Sequence, residues 1–140
     1  ISFMFLDISW GSIYIAGSIH GQMVKVGFSQ NLAKRSIDLN LTKYGGQSDW
    51  EILFTASCAY AGNVESLIKK ALSRYATTGV YEHDRHKQAA IEIFKCSYQK
   101  AKEALSYVEE TEKIDLFNRV EKRLITARYS FRNLTKINKL

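Results

Sequence analysis

A chain of 140 residues with 46% hydrophobic and 12% aromatic side chains can bury a real core as one compact domain, and this composition excludes intrinsic disorder. No apolar run approaches the ~20 residues of a membrane span, and the apolar stretch at residues 1–6 lacks the basic flank and length of a signal peptide, so a soluble, cytoplasmic protein is expected. The net charge of +6 is unevenly placed: residues 1–113 carry 13 Lys/Arg against 12 Asp/Glu, residues 114–140 carry 7 against 2.

The chain opens on Ile1 rather than Met, which leaves room for a longer parent chain. Residues 1–9 mix apolar and polar side chains and suit an edge strand or a packed arm. Two β segments follow, Ser12-Ile13-Tyr14-Ile15-Ala16 and Met23-Val24-Lys25-Val26-Gly27-Phe28, joined by a turn containing His20 and Gly21. Side chains alternate across a strand. A hairpin that buries Ile13 and Ile15 with Val24, Val26 and Phe28 therefore sets Tyr14 and Lys25 on the same opposite face. A phenol beside an ammonium is a candidate proton-transfer pair, because the cation favours the phenolate and desolvation makes a lysine a readier acceptor. The same pattern also fits a cross-strand pair on a solvated face. Ser29 reads as the N-cap of a helix running to about Asn40, with Arg35 on the flank of its apolar stripe.

Tyr44-Gly45-Gly46-Gln47-Ser48 is a turn, and alternation from Trp50 to Cys58 predicts a third, longest strand. Asn63 is expected to cap a helix whose Val64, Leu67, Ile68, Ala71, Leu72 and Tyr75 make the best helical pattern in the chain. Glu65 falls in its expected first turn. A carboxylate there is favoured by the helix dipole, by roughly 0.3–1 kcal/mol, without any further role; it is also the kind of oxygen donor that Mg²⁺ takes. Thr77-Thr78-Gly79 is expected to break that helix. His83 and His86 lie in the polar stretch beyond it, with no second His or Cys cluster to complete a zinc site. Ala90, Ile91, Phe94, Ala101, Ala104, Leu105 and Val108 suggest one long helix over 87–112. Cys58 and Cys96, far apart, read as reduced core thiols.

In the last segment Phe117, Leu124 and Phe131 recur every seven residues, with Val120, Ala127 and Leu134 offset by three. This suggests a helical tail, residues 114–140, that packs back on the core of residues 1–113 or forms a homodimer. Its basic residues Arg119, Lys122, Arg123, Arg128, Arg132 and Lys136 are the candidate contacts to a phosphate backbone. A merely solvated basic helix is the plainer alternative, and acidic lipid headgroups a third.

Ser12-Ile13-Tyr14 followed by Lys25-Val26-Gly27 resembles the paired motifs of the GIY-YIG nuclease superfamily. It is most similar to the phage-encoded branch whose second motif reads Val-Lys-Ile-Gly. The resemblance extends through Arg35 to the Glu65 helix, roughly residues 11–75. Ser12 replaces the usual Gly and Lys25 the usual second Tyr, the latter a departure shared by restriction enzymes of the superfamily. The resemblance implies an α+β fold, a small three-stranded antiparallel sheet flanked by helices. It further implies a DNA endonuclease, of restriction, phage or mobile-element type, that uses Mg²⁺ or Mn²⁺ and leaves 5′-phosphate and 3′-hydroxyl ends. By position, Tyr14 with Lys25 would activate water, Arg35 would clamp the phosphate and Glu65 would hold the metal. A non-catalytic nucleic-acid-binding module on the same scaffold is the alternative.

Overall fold

In this computed structural model residues 10–83 and 86–135 are described, the side chains of residues 80–91 excepted. The hairpin forms as expected. β1 (Gly11–Ser18) and β2 (Met23–Ser29) pair antiparallel with Tyr14 opposite Gly27 and Ala16 opposite Lys25. That register puts Tyr14, Ala16, Lys25 and Gly27 on one face, and Ile13, Ile15, Val24 and Val26 on the other. The turn between them is clamped by Asp49, which accepts from the Ser18 hydroxyl at 2.6 Å and from the His20 amide at 3.0 Å.

The sheet has six strands, where three were expected. Its order is β4-β5-β2-β1-β3-β6, with β3 at Glu51–Cys58, β4 at Ala76–His83, β5 at His86–Phe94 and β6 at Phe117–Glu121, and every pairing is antiparallel. The helices are α1 (Leu32–Leu41), α2 (Ala61–Ala71), α3 (Tyr98–Thr111) and the single turn α4 (Arg123–Thr126). No helix among the described residues is long and apolar enough to cross a membrane.

Both faces of β1 are covered, and Ile13, Tyr14, Ile15 and Ala16 are all fully buried. On one face α2 and α3 pack Val64, Ile68, Ala101 and Leu105 against Ile13, Ile15, Val24 and Val26. On the other, Leu39 of α1, Tyr44 and Trp50 cover Tyr14, Ala16 and Ile93. The alternation expected along β3 is broken at Leu53. Ile15 pairs with Phe54 but Ala16 with Ile52, so Leu53 is an extra residue in a bulge. Trp50 and Phe54, which strict alternation would place together, consequently join different cores.

Local caps correct the expected helix starts. Asn31, not Ser29, caps α1 by accepting from Lys34 N at 3.1 Å. α2 begins at Ala61 behind a left-handed Tyr60 (φ 56°), so Glu65 lies beyond its first turn and helix-end electrostatics no longer explain it. Thr77-Thr78-Gly79 belongs to β4. The long helix expected over 87–112 is a strand and then a helix. Ser97 caps α3, accepting from Lys100 N at 3.1 Å, while β5 pairs Ile93 with Lys25 and Phe94 with Val24 and so buries one on each face. His83 and His86 are backbone partners at the end of the β4–β5 pairing.

The expected helical tail is also corrected. β6 takes its hydrogen bonds from the outer edge of β3, pairing Val120 with Thr55 and Glu121 with Phe54, and Asn118 adopts a left-handed φ of 54° that a continuing helix does not admit. Phe117 thus lies on a strand and Leu124 in the four-residue α4, so among the described residues the two do not share one helical face. Tyr129 instead turns inward against Gly17, where a Cβ would meet its ring at 2.5 Å. Residues 1–9, 84–85 and Lys136 lie outside the described residues.

Candidate active site

Tyr14 and Lys25, expected on one face from alternation alone, are in direct contact: the Lys25 ammonium donates to the Tyr14 hydroxyl oxygen at 2.8 Å. The same nitrogen donates to Glu92 Oε2 at 2.7 Å and lies 5.0 Å from the ring centroids of both Tyr14 and Tyr44. Gly27 makes this packing possible, since a Cβ there would sit 2.6 Å from the Tyr14 hydroxyl and 2.8 Å from Lys25 Nζ. Neither side chain reaches solvent: Tyr14 is 0% and Lys25 1% exposed.

The cluster continues to α2. Glu92 Oε1 lies 3.6 Å from Lys69 Nζ, and Lys69 Nζ lies 3.2 Å from Glu65 Oε1. Positive and negative groups thus alternate from Lys25 through Glu92 and Lys69 to Glu65. Burial disfavours the Lys25 ammonium, but Tyr14 and Glu92 beside it outweigh that and hold its pKa above the ordinary lysine value. Burial likewise works against the Glu92 carboxylate, and Lys25 followed by Lys69 overcomes it, leaving Glu92 below the usual carboxylate range. Glu65 goes the other way. Burial and the Glu92 carboxylate push it up, and Lys69 and Lys25 only partly offset them.

Residues 11–109, most of the chain, match the T5orf172 domain. The chain belongs to the T5orf172 domain family. This is a GIY-YIG-like, phage-type nuclease-associated family, in keeping with the resemblance carried by Tyr14, Lys25 and Gly27. Neither the curated proteins nor the solved structures contain a match.

In this T5orf172 domain three of the four expected site residues are linked. Tyr14 and Lys25 touch, and Glu65 joins them through Lys69 and Glu92. Arg35 is not among them: it is half-buried on α1 and its side chain makes no hydrogen bond or ion pair to the described residues. Sequence reasoning missed Glu92, Lys69 and Tyr44. The alternation of Ile91-Glu92-Ile93 was the available sign that Glu92 lies on a strand, and the Glu65–Lys69 spacing of four is a helix ion pair; nothing local marks Tyr44.

Glu65 suits a hard divalent ion in kind. It is a buried carboxylate whose charge burial leaves poorly compensated, and a lysine ammonium on a flexible stem faces it. No group of three or more His, Cys, Asp or Glu gathers among the described residues, so this donor fits an ion that keeps most of its waters.

The basic residues of the tail are partly neutralised in the T5orf172 domain. Arg119 pairs with Glu109, Lys122 with Glu51 at 2.7 Å and Arg123 with Glu121 at 3.5 Å. Arg128 and Arg132 are exposed, with no ion pair among the described residues.

Proposed function

We propose that this chain is a metal-dependent DNA endonuclease. Hydrolysis of a phosphodiester needs an activated water, a positive clamp on the non-bridging oxygens and help for the departing oxygen. Tyr14 takes the proton of the attacking water. Tyr14 acts as the phenolate and becomes a neutral phenol in that step; Lys25, held as an ammonium, is a donor and not the base, and its hydrogen bond favours the phenolate before the transfer. Arg35, whose guanidinium makes no ion pair to the described residues, clamps the phosphate through a bidentate fork. Water oxygen bonds to phosphorus as the bond to O3′ breaks, leaving 5′-phosphate and 3′-hydroxyl ends. Glu65 would hold one Mg²⁺ or Mn²⁺ in place of its contact with Lys69, and the ion would neutralise charge on the leaving oxygen. Cutting both strands needs two such sites and hence a homodimer, whereas nicking needs one.

The observation that carries this reading is the 2.8 Å contact between Lys25 and Tyr14 over Gly27, in a chain of a nuclease-associated family. Access to the phenol requires the cover over Tyr14 and Lys25, formed by Leu39, Tyr44, Trp50 and Ile93, to open. The experiment is incubation with supercoiled plasmid, with and without Mg²⁺. Nicking that needs both the ion and Glu65 supports the reading; equal cutting by Glu65→Ala refutes it.

The complete burial of Tyr14 favours a second reading, a nucleic-acid-binding module in which the Tyr14–Lys25–Glu92 cluster is structural. Under it, the parent binds DNA at low salt without cutting and Tyr14→Phe binds equally well.

A further inference from the structure

We infer that Glu92 is a positioning residue of this site: it fixes the Lys25 ammonium as a hydrogen-bond donor to the Tyr14 oxygen, so that Tyr14 alone is left to accept a proton from water. This inference rests on the endonuclease reading.

The placement of Glu92 is unusual for a strand residue. β4 and β5 pair Thr77 with Ile93 and then Gly79 with Ala90, so Ile91 and Glu92 together oppose Thr78. A bulge of this kind re-aims a side chain and ends regular pairing. The pairing of β5 with β2 stops there too, its two partners being Val24 and Lys25. Strict alternation from Ile93, which shares a face with Lys25, would turn Glu92 away. The bulge instead brings Glu92 Oε2 to 2.7 Å from Lys25 Nζ.

Each carboxylate oxygen of Glu92 faces a different cation, Oε2 the Lys25 of β2 and Oε1 the Lys69 of α2 at 3.6 Å. A carboxylate held from two elements is fixed in direction, and so is the ammonium it grips. Lys25 has the Tyr14 hydroxyl on another side and aromatic rings 5.0 Å away. An ammonium buried to this degree cannot be left without a counter-ion, and Glu92 supplies it while leaving one N–H aimed at the phenol oxygen. A structural counter-ion alone would contribute to folding and leave the rate of chemistry untouched.

The test uses the full chain and four proteins: parent, Glu92→Gln, Lys25→Met and the double variant, in which the buried charges are removed together. Melting midpoints, DNA binding by anisotropy in EDTA and single-turnover plasmid nicking with Mg²⁺ are measured for each. Glu92→Gln is expected to slow nicking by ~100-fold, the scale of a misplaced catalytic group, with DNA affinity within about twofold of the parent. The double variant is expected to nick no more slowly than Lys25→Met, because Glu92 acts through that lysine, and to melt closer to the parent than the two single shifts would sum to. Should Glu92→Gln not fold, the comparison of Lys25→Met with the double variant decides. A folded Glu92→Gln that nicks at the parental rate, or a double variant whose loss is the product of the two single losses, overturns the inference. A parent that never nicks refutes the endonuclease reading, and the melting cycle then decides for Glu92: non-additive midpoints uphold its grip on Lys25, additive ones overturn it.

Discussion

Replacing Gly27 by alanine tests the packing of the site with one methyl group. The added Cβ would lie 2.6 Å from the Tyr14 hydroxyl, 2.7 Å from its Cζ and 2.8 Å from Lys25 Nζ. Ordinary contact begins near 3.4 Å, so the phenol must move by roughly 1 Å, a displacement that can cost ~100-fold in rate. These are side-chain ends that would elsewhere swing away, but here Tyr14 is fully buried and Lys25 is tied to Glu92. Overpacking of a closed site costs about 1–3 kcal/mol, or roughly 3–10 °C in melting midpoint for a chain of this size. Gly11→Ala is the matched control: it is also a strand glycine, with the same gain from a stiffer unfolded chain, but its Cβ meets nothing nearer than 3.4 Å. Calorimetry of the two variants beside plasmid nicking separates the clash from the backbone effect. A Gly27→Ala protein that melts with Gly11→Ala and nicks at the parental rate would refute the tight contact of Tyr14, Lys25 and Gly27.

Tyr14→Phe removes the oxygen that accepts from Lys25 and should reduce nicking at least ~100-fold while DNA binding by gel shift is kept; loss of binding would place Tyr14 in the interface instead. Asp49→Asn weakens the clamp on the β1–β2 turn by about 1 kcal/mol at neutral pH. Burial raises the Asp49 carboxyl, but the Ser18 and His20 hydrogen bonds bring it below the usual aspartate value. Its contribution is thus present above that value and fades as pH falls through the lowered one, so melting curves of parent and variant should converge in acid. Truncating Arg128 and Arg132, exposed and unpaired among the described residues, should flatten the slope of log affinity against log salt by about 2. Truncating Arg119, Lys122 and Arg123, each held by a glutamate, should change it less. Gly62→Ala, inside α2 with its Cβ no nearer than 3.6 Å to Phe28, should stabilise the protein by up to ~1 kcal/mol in chemical denaturation.

Alternation and turn chemistry are local, and where they decide the outcome the sequence alone sufficed. They determined the β1–β2 hairpin, the shared face of Tyr14 and Lys25 and the Val64–Ile68–Leu72 stripe of α2. The helical spacing of Phe117, Leu124 and Phe131 was local as well, yet it misled. The free edge of β3 offered that segment backbone partners, and a five-residue strand is too short to declare itself by pattern. The Tyr14–Lys25–Glu92 cluster depends on pairing between distant segments. Glu92 meets Lys25 because β5 docks beside β2 and bulges opposite Thr78, and Tyr44 covers them because its turn is laid across the same face. Tertiary structure decided these contacts, because a side chain's direction at a bulge follows from the register of two strands and a residue's own neighbours in the chain carry no record of that register.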